Sequence, residues 1–253
     1  MIGLFIIKVA SGASLSLLYA HFYSDGKLSG DTVHYYNDGQ VLNRVFFESP
    51  TDYFELLLFQ GDEELVQNRM LDSEHWTRSN LDQFNDNRFI IRINSLISFV
   101  SFNNYFVHVI IFIVLSLLGI ILFFKSIQDF VPKFQRELFL LLVLFPSLLF
   151  WTSSILKESL LIFGLGLLVY GVRFFGGAPL RKTFLIGFGL FILLNTKVYF
   201  LICLFPALLA YFIMTKNWKL NLLKFVGIIG LGILILFVNS FSRSFNVTQF
   251  LST

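Results

Sequence analysis

Long apolar runs recur along this chain, and one extended polar block interrupts them near the start. The first run covers residues 2–22, and the polar block follows over 23–103. The second run, "YFVHVIIFIVLSLLGIILFF" at 105–124, is the clearest. Further runs cover Leu138 to Thr152 and Ile155 to Val172. A fifth starts at Thr183, a sixth ends near Met214 with "NTK" at 195–197 between them, and a seventh covers Phe225 to Val238. A helix crossing ~30 Å of hydrocarbon needs about 20 apolar residues. The pattern predicts an all-α, polytopic helical membrane protein with about seven transmembrane helices. Its expected parts are a first span (1–22), a large loop carrying amphipathic helices (23–103) and a bundle of the remaining spans (104–253).

Two runs are short. Leu138 to Phe150 and Thr183 to Leu194 cannot cross the hydrocarbon at 1.5 Å per residue. Either the spans continue through polar residues or the helices stop partway, with Pro146 and Pro206 as expected break points. Trp151 to Glu158 and Asn195 to Lys197 are then expected at or below the membrane surface, where irregular backbone is tolerated beside a protein-enclosed or wet cavity.

The polar block has helical order of its own. Ser49 before Pro50 reads as an N-cap followed by proline at the first helical position. "TVHYYNDGQVLNRVFF", directly after Asp31, reads as a helix. In "FIIRINSLISFV" (89–100), Phe89, Ile93, Leu96, Ile97 and Val100 share one face and Arg92 and Ser95 lie off it. That segment suits an interfacial helix lying on the bilayer, or a helix packed on the loop itself.

Composition agrees with the pattern. The chain is 56% hydrophobic and 14% charged, with a mean hydropathy of +0.74; soluble domains carry about 25% charged residues. Lys8 interrupts the first run, which also lacks a basic start, so it reads as a retained span rather than a signal peptide. Cys203 is the only cysteine, which excludes an intrachain disulfide and a cysteine metal cluster.

Basic residues orient the chain, because Lys and Arg are retained on the cytoplasmic side. Three turns are basic: Lys125, Lys133 and Arg136; Arg173, Arg181 and Lys182; Lys216, Lys219 and Lys224. They alternate with Lys157, Lys197 and Arg243, one each. The N-terminus is therefore expected in the cytoplasm and the first loop outside. That loop holds 13 acidic residues against six basic ones.

This topology gathers the candidate chemistry on one side. Asp31 and Asp38 follow span one, Lys157 and Glu158 lie between spans three and four, and Lys197 lies between five and six. A carboxylate serves as general base toward a hydroxyl or ligates a divalent cation, and a lysine holds a phosphate. Each residue also has a plainer reading. Asp31 suits an N-cap and Asp38 before Gly39 a turn. Lys157 and Glu158 suit snorkelling, and Lys197 beside Tyr199 an interfacial anchor. His108 reads as a packing histidine. Asp72, Glu74 and His75 do not converge on a single helix and read as a solvated face. Asn246-Val247-Thr248 matches a glycosylation acceptor, a pattern too common to weigh. The sequence has no phosphate-cradling glycine loop, nucleophile elbow or paired-histidine zinc motif. The glycines at 164, 166, 187, 189, 227, 230 and 232 sit in apolar runs, where small residues let helices approach. The inner basic turns are too sparse for nucleic acid.

A first span followed by "GDTVHYYNDG", a large outer loop, "FPSLLFWTSSILKES" and "LLNTKVYFLICLFPALLAY" resembles the GT-C superfamily of membrane glycosyltransferases. The resemblance implies sugar transfer from a polyprenyl-phosphate-linked donor on the extracytoplasmic face of a bacterial inner membrane. Asp31, with Asp38, would then be the catalytic acidic residues, serving as base or metal ligand. Lys157, Glu158 and Lys197 would line the substrate, the lysines holding the lipid phosphate. Membrane lipids and the lipid-linked donor are the partners implied, and a divalent cation the cofactor. Two other readings stay open. One is a non-catalytic subunit docking a membrane protein partner through loop aromatics such as Tyr35, Tyr36, Phe46 and Phe47. The other is a polymerase or transporter of lipid-linked saccharide.

Overall fold

The computed structural model describes residues 2–23, 30–59, 61–78, 87–174 and 179–213, together with 224, 226 and 227. The described residues are helical, with no strand among them. The expected seventh span, the start of the opening polar stretch, and the Asn246 acceptor lie outside them. The chain divides into two compact units, Met1–Thr196 and Lys197–Thr253.

In the first unit the helices are α1 (Ile2–Tyr23), α2 (Asp31–Glu48), α3 (Pro50–Leu58), α4 (Glu63–Arg69), α5 (Glu74–Arg78), α6 (Arg88–Ser101), α7 (Tyr105–Ile127), α8 (Gln135–Leu144), α9 (Pro146–Trp151), α10 (Lys157–Arg173) and α11 (Pro179–Thr196). The second unit contributes α12 (Val198–Ile213), and this helix continues through Pro206 instead of breaking there. Pro146 behaves as expected. Phe145 leaves the helical region, and the proline opens α9. Among the described residues, two stretches are long and apolar enough to cross a membrane, Ile2–Tyr19 and Tyr105–Phe130.

Ser49 caps α3 by accepting from the Asp52 N–H, with Pro50 in the first turn. Asp31 is not a cap. The N-cap of α2 is Gly30, whose positive φ of 85° suits glycine, and Asp31 begins the first turn. Asp38 and Gly39 make no turn either; they lie inside α2. A Cβ at Gly39 would sit 2.5 Å from the Asn94 Cβ, so the glycine lets α2 lie directly on α6.

That contact sets the faces of α6. Asn94, Ser95 and Ser98 are buried, while Leu96, Phe99 and Val100 are exposed, on the side that an interfacial helix gives to the bilayer; Ile97 turns inward. Asn43 donates to the Ser95 carbonyl (3.3 Å). Asn94 also accepts from His108 (2.8 Å), whose other ring nitrogen meets the Ser101 hydroxyl (2.7 Å). His108 is thus the satisfied packing histidine that its sequence context suggests.

α7 is apolar on its outward side, at Phe106, Ile110, Val114 and Leu118, and its inward face buries His108 and Ser116 among Val109, Phe112, Ile113, Leu117 and Ile120. Lys8, within the first apolar run, is wholly buried. Its ammonium donates to Ser116 Oγ (2.9 Å) and the Thr152 carbonyl (3.0 Å), linking α1, α7 and the turn after α9. α10 lies against α7 and α11. A Cβ at Gly166 would meet the Gly119 carbonyl oxygen at 2.2 Å. Gly187 faces open space, so the close-approach reading fails there. One apolar core runs from Leu42, Tyr53 and Trp76 in the loop helices to Phe112, Leu160 and Ile192 in the bundle. Tyr35 and Tyr36 belong to it and Phe46 is half-buried; of the four aromatics considered for docking, only Phe47 is exposed.

Candidate functional site

One face of α2 carries Asp31, His34, Tyr35 and Asp38, at the i, i+3, i+4, i+7 spacing that aligns side chains on a helix. α5 stands opposite. Ser73 receives the Trp76 N–H (3.1 Å), and Trp76 is fully buried beneath Arg88 and Arg92, whose guanidinium carbons lie 5.8 and 5.3 Å from its ring centre. Asp38 completes the attachment: its two carboxylate oxygens accept the backbone N–H groups of Glu74 (3.1 Å) and His75 (2.9 Å).

This clamp brings Glu74 and His75 onto the face of α2. His34 Nδ1 lies 3.2 Å from Glu74 Oε2. His75 Nε2 lies 3.8 Å from Asp31 Oδ1, and its Nδ1 lies 3.8 Å from Asp38 Oδ2. His34, Glu74 and His75 offer ligand atoms within 4.8 Å of one another, the arrangement among the described residues that could hold a metal ion. Asp72 and Glu74 are exposed, as expected of a solvated face; the correction concerns convergence, because Glu74 and His75 meet His34 from another helix.

Tyr35 lies at the centre. It packs edge-on to His75, with ring centres 5.2 Å apart, and donates to Asn87 Oδ1 (3.0 Å). Burial pushes its phenol well above the ordinary value, and the negative charges of Asp31, Glu158 and Asp38 push it further. Burial likewise raises Tyr36. Glu158 comes from the first turn of α10, so its charge reaches a loop residue that is remote in sequence.

Asp31 and Asp38 differ sharply in access: the side chain of Asp31 is 61% exposed and that of Asp38 3%. Lys157 is buried at the head of α10, next to Glu158. The non-helical turn before it is also buried, and the Ser154 hydroxyl there has no hydrogen-bond partner among the described residues. Ser159 Oγ donates back to the Ser154 carbonyl (2.9 Å). Lys197 opens the second unit, half-buried, and its carbonyl accepts the Phe200 N–H (3.0 Å).

Asp31 and Asp38 are thus brought to one place with His75, and the charge of Glu158 acts on Tyr35 beside them. Glu74 and His75 were set aside as members of it. The helix read after Asp31 already puts His34 and Tyr35 beside Asp31 and Asp38; nothing in the sequence announced the arrival of α5. No family model, curated protein or solved structure matches this chain.

Proposed function

We propose that the chain is a polytopic membrane glycosyltransferase of the GT-C type, transferring a sugar from a polyprenyl-phosphate donor on the extracytoplasmic face of a bacterial inner membrane. The observation that carries this reading is geometric: Asp31 and Asp38 share one face of α2, and His75 of α5 stands 3.8 Å from each. Burial first, and then the charges of Asp31, Glu158 and Asp38, raise the Tyr35 phenol among them, as expected where separate segments build one acidic site. The membrane part is supported by the apolar outward stripe of α7 and the polar groups turned inward, a distribution suited to lipid rather than water.

In this reading Asp31, the accessible carboxylate, is the general base. It takes the proton of an acceptor hydroxyl as that oxygen bonds to the sugar's anomeric carbon. The bond from that carbon to the lipid phosphate breaks, its electron pair leaving on the phosphate, and Lys157 holds the anion. Glu158 lines the substrate beside Lys157. Asp38 has both oxygens engaged by backbone donors and positions α5. Asp31→Asn is expected to slow transfer from a radiolabelled polyprenyl-phosphate sugar by about a hundredfold or more, with the helical circular-dichroism signal intact. Wild-type transfer by that variant would remove the assignment.

A further inference from the structure

We infer that His34, Glu74 and His75 bind a divalent cation of the zinc or cobalt(II) kind. The inference stands apart from sugar transfer, because the three ligands are separate from the base Asp31 and a bare ion binds here or fails to whatever reaction the protein performs. Two imidazoles and one carboxylate form a donor set suited to zinc and its neighbours, with water in the fourth position, whereas magnesium and calcium take oxygen ligands.

The three ligand atoms lie within 4.8 Å of one another. Metal–ligand bonds of about 2.0–2.1 Å in a tetrahedron place neighbouring ligand atoms about 3.3 Å apart, and His34 Nδ1 stands 3.2 Å from Glu74 Oε2. The two imidazole rings stand 5.2 Å apart between centres and tilt by 36°. The ligands come from two separately anchored pieces of backbone: His34 lies on α2, and Glu74 and His75 are adjacent on α5.

Asp38 gives the cluster its orientation. Its carboxylate holds the backbone of both α5 ligands and lies 3.8 Å from His75 Nδ1, longer than a hydrogen bond. The order therefore comes from the backbone clamp, which sets Glu74 and His75 against His34. Glu74 is exposed, so an ion enters directly from water.

The test uses the full untagged chain in detergent, stripped with EDTA and dialysed against zinc or cobalt(II) chloride. The expected result is one ion per chain by elemental analysis, and the visible absorption bands of four-coordinate cobalt. His34→Ala, His75→Ala and the exposed Glu74→Gln should each weaken binding by roughly a hundredfold or more, since even an outer-shell partner of a metal ligand is worth 10–100-fold. Unchanged helical circular dichroism would show that these variants fold. His21→Ala, on α1, should bind as the wild type does. No saturable binding by the wild type, or binding that survives His34→Ala/His75→Ala together, would overturn the site; the second result would mark an adventitious surface ion only.

Discussion

The loop helices and the α7–α10–α11 bundle hold their helices together by different means. At the α2–α5 contact the join is a buried carboxylate, Asp38, meeting two backbone donors. At the α7–α10 contact the helices meet through bare backbone, Gly166 against Gly119. A carboxylate clamp is directional. It can aim Glu74 and His75 at His34, and it fails when one acceptor atom changes. A glycine contact is a matter of volume. Where lipid tails are as apolar as the side chains, close packing is what favours one helix pair over another, and the failure comes from bulk. Chemistry belongs to the first kind of contact, and scaffolding to the second.

The difference can be broken from either side. Gly166→Leu should have the largest effect, because its side chain meets backbone that cannot yield. About 3 kcal/mol or more of stability should be lost, read as a fall in folded yield and thermal midpoint in detergent. Gly187→Leu, in open space, should change little. Asp38→Asn should cost about 1–3 kcal/mol, because an amide nitrogen would face a backbone N–H that then lacks an acceptor. Hydrogen exchange should quicken at Glu74 and His75 and stay slow around Gly166.

Tyr35→Phe should be the mildest, at about 1 kcal/mol for the lost Asn87 hydrogen bond. It also has a pH signature. The folded phenol titrates above the unfolded value of about 10. Its stabilising share is therefore complete below that pH and declines as pH rises above it, because the unfolded chain ionises first. Wild-type stability should fall more steeply than that of the Phe variant in this alkaline range, measured by chemical denaturation at successive pH values.

Much of the fold could be read from local signals. Ser49-Pro50 marked the start of α3, Pro146 the break before α9, and the apolar run after residue 104 the course of α7. Pro206 misled, since proline alone does not say whether neighbouring packing will keep a helix continuous. On α6 the apolar stripe was legible and its opposite side was not. Leu96 and Val100 lie outward, while the glycine contact at Gly39 draws Asn94 and Ser95 into the interior. The site was half legible. Asp31, Asp38 and Glu158 were identified by charge beside apolar runs. Glu74 and His75 were dismissed by spacing along one helix, because their partner His34 lies on another. Long-range convergence of that kind leaves no periodic trace.

The account depends most on the loop helices and the turn after α7 facing opposite sides of a membrane. Glu64→Cys and Lys133→Cys, both exposed positions, can each be introduced after Cys203→Ser and treated in intact cells with a membrane-impermeant thiol reagent. Glu64→Cys should react at once, and Lys133→Cys only after the membrane is opened. Reaction at Lys133→Cys with protection of Glu64→Cys, or equal reaction at both, would contradict the account.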